Sequence, residues 1–92
     1  MKIKLFAHKS CAKCRSVKKL LQNILPELGL KYETAITELD IDDSNALADL
    51  MMLNTEFVPT LSIGDVVLTG EEIVNETVLR GFIKAHMKKV TG

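Results

Sequence analysis

Two cysteines separated by two residues are the part of the sequence best suited to chemistry. Cys11 and Cys14 are the only cysteines in the chain. They lie where a short alternating strand ends and a long amphipathic pattern begins, so Cys11 is expected at the N-terminal end of a helix. Free backbone N–H groups and the dipole at that end favour an anion, and the thiolate is the reactive form of cysteine. The spacing therefore indicates a dithiol that cycles with a disulfide.

Three other interpretations of the cysteine pair stay open at this point. A zinc site needs four ligands, and only His8 and His86 are available to join the two sulfurs. A structural disulfide over so short a loop would remove little entropy from the unfolded chain. Two buried, unreactive thiols are the third. Four polar or charged residues flank the sulfurs and favour exposure instead: Lys9, Ser10, Lys13 and Arg15.

The charges are unevenly distributed along the chain, although the formal net charge is zero. Residues 1–26 contain basic side chains and no acidic one, and all twelve acids lie at Glu27 or beyond. Lys9, Lys13 and Arg15 are close to the sulfurs, where cations favour the thiolate and attract a partner with an acidic surface. Nucleic acid is not an expected partner, because the chain is not basic overall and has few aromatic residues.

Length and composition are typical of one small domain spanning residues 1–92. A chain of this length can hold a single core without disulfide staples, and 47% of its residues are hydrophobic. The N-terminus lacks the apolar run of a signal peptide, and no stretch has the length of a membrane span. Two cysteines without a secretory signal fit a reducing compartment, where a disulfide is transient or catalytic. We therefore expect a cytoplasmic monomer that does not contact a membrane.

The hydrophobic periodicity predicts an α/β domain with the element order βαβαββα. Residues 2–7 alternate as a strand, and from Ala12 the apolar residues follow the three–four spacing of a helix. Pro26 is expected to kink this helix or to end it near Leu25, and Gly29 is expected to stop it.

The middle of the chain is expected to form a second strand and a second helix. Residues 32–42 are predicted as the strand, and Asp43 or Ser44 can cap a helix that runs to about Leu53. The residues of this helix expected to face inward are Leu47, Leu50 and Met51. The pair Met51–Met52 is interpreted as flexible filler of the core.

The last third of the chain is expected to form a hairpin and a helix. Residues 60–63 and 66–68 are predicted as short strands joined at Gly64–Asp65, a typical hairpin turn. Gly70 breaks the pattern, and a final helix is predicted over about residues 71–89.

This order, the Cys-x-x-Cys pair at the first helix and the run Val58-Pro59-Thr60 before the hairpin resemble the small thioredoxin-fold redoxins. The nearest likeness is to glutaredoxin-like and short archaeal-type thioredoxins, and it covers essentially the whole chain. The resemblance implies a thioredoxin-like fold with a four-stranded mixed sheet flanked by three helices. It also implies that Pro59 follows a cis peptide bond and packs beside the cysteines. The backbone of Val58 would then pair with an extended substrate.

The chain departs from classical thioredoxins next to the cysteines. Those proteins have Trp before the first cysteine and Gly-Pro between the two, where this chain has Ser10 and Ala12-Lys13. They also bury an aspartate in the preceding strand, and the matching position here is Leu5. Water, Lys13 or a group of the substrate would then assist the deprotonation of Cys14.

The chain also departs from classical glutaredoxins, which often have Pro-Tyr between the cysteines and Gly-Gly before the last helix. Here a single glycine, Gly70, is followed by Glu71 and Glu72. These acids resemble the acidic spot that holds the amino group of glutathione. Ser10 and Lys13 complete the expected substrate-binding residues, together with Val58, Pro59, Gly70 and Glu71.

The resemblance implies thiol–disulfide exchange without a cofactor or metal. Cys11 attacks a substrate disulfide as a thiolate, and the more buried Cys14 resolves the mixed disulfide. His8 is a secondary candidate, as a carrier of protons. The expected substrate is a protein disulfide, for which ribonucleotide reductase is one example. The electron donor is either glutathione or a reductase.

Three alternative functions would use the same cysteines. Copper chaperones also present Cys-x-x-Cys at a strand–helix junction, because soft thiolates suit Cu(I), but their βαββαβ order ends in a strand. A glutaredoxin-like dimer could share a [2Fe–2S] cluster through Cys11 and an external thiol. A redox sensor, whose disulfide regulates binding without turnover, is the third alternative.

Overall fold

A computed structural model of the protein describes residues 3–55 and 57–87. The elements in this part of the chain are β1 (Ile3–Ala7), α1 (Ala12–Glu27), α2 (Tyr32–Ala35), β2 (Ile36–Asp40), α3 (Ser44–Met52), β3 (Thr60–Ile63), β4 (Val66–Thr69), a 3₁₀ helix (Gly70–Val74) and α4 (Glu76–Ala85). The predicted α/β class is confirmed. None of the described helices has the length and apolar character needed to cross a membrane.

The four strands form one mixed sheet, as predicted, and lie in the order β2-β1-β3-β4. β1 runs parallel to β2, with Ala7 opposite Asp40, and antiparallel to β3, with Phe6 opposite Thr60. β3 and β4 form the hairpin, with Thr60 opposite Thr69. The ends of β1, β2 and β4 and the start of β3 therefore lie along one edge of the sheet. The loop with the two cysteines leaves β1 at this edge.

The main core lies between the sheet and one layer of helices. β1 contributes Ile3 and Leu5, both fully buried. The helical residues of the same cluster are Val17, Leu21, Ile24 and Leu25 of α1, Ile73 of the 3₁₀ helix, and Leu79 and Ile83 of α4. Phe6 alternates to the other face of β1, where it is buried on the side of α3. Both faces of the central strand β1 are thus covered.

The end of α1 agrees with the predicted stop at Gly29, although the helix continues through Pro26 to Glu27. Gly29 has φ +77°, a left-handed conformation that glycine adopts at little cost. Its N–H donates to the Pro26 carbonyl at 3.1 Å, and the Leu30 N–H donates to the Leu25 carbonyl at 2.9 Å. A proline in the last turn costs only one helical hydrogen bond, so it does not end the helix at Leu25.

Two predicted boundaries were wrong. Residues 32–35 form the short helix α2 and not the start of a strand, so four α-helices are found among the described residues where three were expected. The predicted last helix is divided into the 3₁₀ helix and α4, because the Asn75 side chain accepts from the Val78 N–H at 3.2 Å and caps a new helix. The predicted end of that helix, at residue 89, lies outside the described residues.

The interpretation of the methionine pair as core filler was also wrong. Met51 and Met52 are 60% and 80% exposed, and Leu47 is 37% exposed. The short helix α3 buries only Ala46 and Leu50, which are four residues apart on one face. Its cap is as predicted, since the Asp43 carboxylate accepts the Asn45 N–H at 3.0 Å.

A three-residue polar cluster links α1, α2 and β2. The Tyr32 hydroxyl donates to Glu38 at 2.9 Å, and the Lys18 ammonium lies 2.8 Å from the same carboxylate oxygen. The hydrogen bond from Lys18 lowers the pKa of Glu38, despite an opposing effect of burial. Burial raises the pKa of Tyr32 above its ordinary value, and the bond to Glu38 raises it further.

These opposite pKa shifts predict loss of stability at both ends of the pH scale. The lowered pKa of Glu38 adds stability that is present above its unfolded value and is lost as the pH falls through its folded value. The raised pKa of Tyr32 adds stability below about pH 10 that is lost as the pH rises further. When the thermal unfolding temperature is measured against pH, Glu38→Gln should reduce the loss of stability at low pH. Glu33→Gln, a change of an exposed acid on α2, should leave it as it is, and equal effects would contradict the assignment.

Candidate redox site

Cys11 is the N-cap residue of α1. Its backbone is extended, with φ −99° and ψ 114°, and its own N–H donates to the His8 carbonyl at 3.1 Å. The loop between β1 and α1 therefore turns tightly over residues 8–11. The prediction that the first sulfur lies at the start of the helix is confirmed by this capping geometry.

The Cys11 sulfur occupies the position of the oxygen in an ordinary helix cap. It accepts the Cys14 N–H at 3.1 Å, in the manner in which Ser or Asp accepts an N–H of the first turn. The two cysteines are joined by a disulfide, with 5.2 Å between their Cα atoms. In the reduced protein the same N–H and the positive end of the helix dipole can stabilise a thiolate on Cys11.

The two cysteines differ in their access to solvent. Cys11 is half-buried, whereas Cys14 lies on the inner face of α1 and is 1% exposed. Lys9, Ser10 and Arg15 are all exposed around them. Cys11 is therefore the more accessible of the two cysteines, and Cys14 is shielded within the domain.

The loop before β3, which contains two of the predicted substrate-binding residues, is a second part of the candidate site. The Val58–Pro59 peptide bond is cis, Pro59 is buried and Val58 is half-buried. The Thr60 hydroxyl donates to the Phe57 carbonyl at 2.6 Å, and the Thr69 hydroxyl donates to the Pro59 carbonyl at 3.3 Å. Because Thr60 pairs with Phe6, this loop and the cysteine loop leave the sheet at the same edge.

The segment after β4 is a third part of the candidate site. Gly70 has φ +76° and starts the 3₁₀ helix, which places Glu71 towards the cysteine loop. The Lys13 ammonium donates to the Glu71 carboxylate at 2.6 Å, and this hydrogen bond lowers the pKa of Glu71. Lys13 and Glu71, which were predicted separately as substrate-binding residues, are thus in direct contact.

Comparison with known families agrees with this arrangement. Residues 1–84 match the family model described as a thioredoxin domain. The chain belongs to the thioredoxin-domain family. A search of curated proteins gave no match. The family and the close Cys11–Cys14 pair together support a redox function.

Two contacts of this thioredoxin-domain protein were not anticipated from its sequence. Asp42, in the loop after β2, has a carboxylate oxygen 3.2 Å from Nε2 of His8. The Thr60 and Thr69 hydroxyls lie 2.9 Å apart, and each donates to a carbonyl of the loop at Pro59. No signal in the sequence pointed to Asp42, because its approach to His8 depends on the parallel pairing of β1 with β2, which brings residues 8 and 42 to the same edge.

Ser10, Val58 and Pro59 lie at this same edge of the sheet, but not all of them are in contact with one another. Ser10 lies in the cysteine loop and uses its N–H within that loop. Among the residues that the structure describes, no hydrogen bond or ion pair joins Val58 or Pro59 to the cysteine loop.

Beside Phe57 lies a groove of about 250 Å³, lined also by Met51, Asn54 and Thr55. Phe57 is 66% exposed and contributes apolar surface to this groove. Because Phe57 lies two residues before Pro59, the groove borders the Pro59 loop.

Proposed function

We propose that this thioredoxin-domain protein is a thiol–disulfide oxidoreductase that reduces protein disulfides through Cys11 and Cys14. The observation that carries the proposal is the asymmetry of the pair. Cys11 is accessible and its sulfur accepts the N–H of Cys14, whereas Cys14 is 1% exposed. One sulfur is therefore suited to attack from the surface, and the other to resolve the product within the domain.

The reaction takes place in two exchange steps. The Cys11 thiolate attacks one sulfur of the substrate disulfide, so a mixed disulfide forms and the other substrate sulfur leaves as a thiolate. Cys14 then loses its proton and attacks the Cys11 sulfur, which releases the second substrate thiolate. The substrate gains two electrons and the cysteine pair becomes the Cys11–Cys14 disulfide. An external dithiol or reductase returns the two electrons.

The proton of Cys14 needs an acceptor, and two of the positions that could supply one in this chain are unsuited to it. The position in β1 that matches the buried aspartate of thioredoxins is Leu5, which is fully buried in the core. The Lys13 ammonium donates to the Glu71 carboxylate at 2.6 Å and is therefore already engaged away from the cysteines. Water or the departing substrate thiolate is therefore the acceptor in this mechanism.

The substrate in this proposal is an extended protein segment that contains a disulfide. Val58 would pair with its backbone as an added strand, with Pro59, Ser10 and Gly70 around the reacting sulfurs. The apolar groove beside Phe57 would receive side chains of the same partner. Ribonucleotide reductase is one partner of this class, and a monomeric protein in a reducing compartment such as the cytoplasm would meet it.

The contact between Lys13 and Glu71 favours a reductase over glutathione as the electron donor. Glu71 and Glu72 are the acids that resemble the spot for the amino group of glutathione, and the Glu71 carboxylate already accepts from Lys13 at 2.6 Å. Glutathione bound at Glu71 would therefore have to displace a cation of this chain. A reductase needs only access to the Cys11–Cys14 disulfide.

Reduction of insulin by dithiothreitol tests the proposed function. The protein should raise the rate of insulin precipitation well above that of dithiothreitol alone, and Cys11→Ser should return it to that background. A rate no higher than background would remove the oxidoreductase proposal and leave a sensor that binds without turnover. Metal analysis and visible absorbance of protein purified without oxygen serve as the control, because a copper or [2Fe–2S] carrier would show bound metal.

A further inference from the structure

Both ring nitrogens of His8 have partners. Nδ1 lies 3.2 Å from the backbone N of Ser10, and Nε2 lies 3.2 Å from a carboxylate oxygen of Asp42. The ring is half-buried at the end of β1, three residues before Cys11. His8 is therefore part of the cysteine loop, although it does not touch either sulfur in the described contacts.

These two partners fix the tautomer of the ring. A backbone N–H can only donate, so Nδ1 of His8 must carry a lone pair and accept from Ser10. The ring proton is then on Nε2, where it is donated to the Asp42 carboxylate. With one nitrogen accepting and the other donating, His8 has no lone pair left to take a proton from a thiol. This arrangement does not support the role of His8 as a proton carrier.

Asp42 is itself held in place by the end of β2. Its N–H donates to the Asp40 side chain at 2.9 Å, and the N–H of Ile41 donates to the Ala7 carbonyl at 3.1 Å. The turn over residues 40–43 is thus fixed to the last residue of β1. It presents the Asp42 carboxylate to Nε2 of His8, which orients the ring.

We propose that His8, oriented by Asp42, is a positioning residue that sets the conformation of Ser10 and Cys11 for thiolate formation. The His8 side chain holds the Ser10 N–H, and its backbone carbonyl holds the Cys11 N–H at 3.1 Å. One residue thereby fixes two successive peptide groups before the helix. In this conformation the Cys11 sulfur accepts the Cys14 N–H at 3.1 Å. The proposal rests on the proposed function in taking Cys11 as the attacking cysteine.

The contact with Ser10 has the geometry of an Asx turn, in which a side chain accepts from the N–H two residues ahead. Asparagine can make the same contact, whereas alanine cannot. His8→Asn therefore keeps the acceptor for Ser10 without the imidazole, and His8→Ala removes both. This pair of variants separates the positioning role from every role that needs the ring itself.

The test is the rate of iodoacetamide alkylation of Cys11 in reduced protein, measured against pH in a Cys14→Ser background. That background leaves the backbone N–H at position 14 in place. His8→Ala should move the alkylation midpoint to higher pH and lower the thiolate population below that midpoint by about two- to tenfold, the range for loss of one hydrogen bond. The alkylation rate at pH 6 should fall by less, about 1.5- to 3.5-fold, because the more basic thiolate is also the better nucleophile. His8→Asn should restore most of the rate and the midpoint. Asp42→Ala should shift both in the same direction as His8→Ala, by less.

Asp49→Ala is the matched control, because it removes an acid from the neighbouring helix α3 without a contact to His8. It should leave the rate and midpoint unchanged. Unaltered alkylation in His8→Ala or in Asp42→Ala overturns the proposal, and so does a His8→Asn protein as slow as His8→Ala. If His8→Ala does not fold, the other two variants decide. Alkylation needs no disulfide substrate, so absence of insulin reduction with the expected alkylation pattern would overturn only the proposed function.

Discussion

A Cys14→Ser variant mixed with an oxidised protein substrate should accumulate a covalent adduct, and a Cys11→Ser variant should not. The half-buried Cys11 can still attack in the first variant, but nothing then resolves the mixed disulfide. In the second variant the remaining sulfur, on Cys14, is 1% exposed and out of reach of a protein disulfide. Non-reducing electrophoresis with mass spectrometry of the adduct measures the difference. Catalytic turnover should be lost in both variants.

The matched control is the double variant Cys11→Ser, Cys14→Ser, which should form no adduct and should keep the fold. Serine replaces sulfur by oxygen at each position with little change in shape, so lost trapping reports chemistry and not unfolding. Thermal unfolding of all three variants checks this directly. Equal trapping by the two single variants would mean that Cys14 is accessible in solution, and the roles assigned to the two sulfurs would have to be abandoned.

The sequence was sufficient where the signals are local. Alternation in β1 and the three–four spacing of α1 placed Cys11 at the start of a helix, and the structure gives it the N-cap position. The hairpin was equally accessible, because its turn residues and its two short apolar runs are contiguous. The resemblance supplied the four-stranded mixed sheet, whereas the order of the strands within it, β2-β1-β3-β4, was not predicted.

The predictions failed where the deciding interaction covers only a few residues. α2 is a single turn of four residues, too short for a helical period to be seen. The break before α4 depends on one capping side chain, that of Asn75. Met51 was placed inside because the apolar residues of α3 do not show which of them face the sheet. Only Ala46 and Leu50 do so, which leaves both methionines on the surface.

Candidate residues for the site could be named from the sequence, but the contacts between them could not. Lys13 and Glu71 are 58 residues apart, and His8 and Asp42 are 34 apart. Contacts over such separations depend on which strands are neighbours and where each strand ends. The pairing of β1 with β2 and with β3 decides both, and the sequence pattern does not determine its register.

The thiolate of Cys11 should form well below the ordinary pH range of a cysteine. The N–H of Cys14 points at the sulfur from 3.1 Å at the start of a helix of 16 residues. The pKa of Cys11 in the reduced protein is therefore expected below the ordinary value of about 8.5, within the range of about 3.5 to 7.5 for such motifs. Nearby cations also lower the pKa of Cys11. Lys13 contributes less than its position next to the cysteines implies, because its charge is already paired with Glu71.

The lowered pKa raises the alkylation rate of Cys11 by less than it raises the fraction of Cys11 that is thiolate. With a pKa of about 7, the thiolate fraction at pH 6 would be about thirtyfold higher than for a free thiol. The less basic thiolate is also a weaker nucleophile, by roughly fivefold for this change in pKa. Alkylation of Cys11 at pH 6 should therefore be about sixfold faster than that of an ordinary cysteine. The denatured chain provides that ordinary cysteine with the same neighbours in sequence.

Iodoacetamide alkylation of the reduced protein against pH, with and without denaturant, measures this difference. The folded protein should show the lower midpoint, and denaturant should return it to the value of a free thiol. High salt separates the two causes, because it screens the exposed cations and leaves the N–H of Cys14 in place. The midpoint should therefore rise only slightly with salt, and Lys13→Gln should change it little. Coinciding midpoints in folded and denatured protein would show that the helix start does not activate Cys11, and the exchange mechanism would lose its nucleophile.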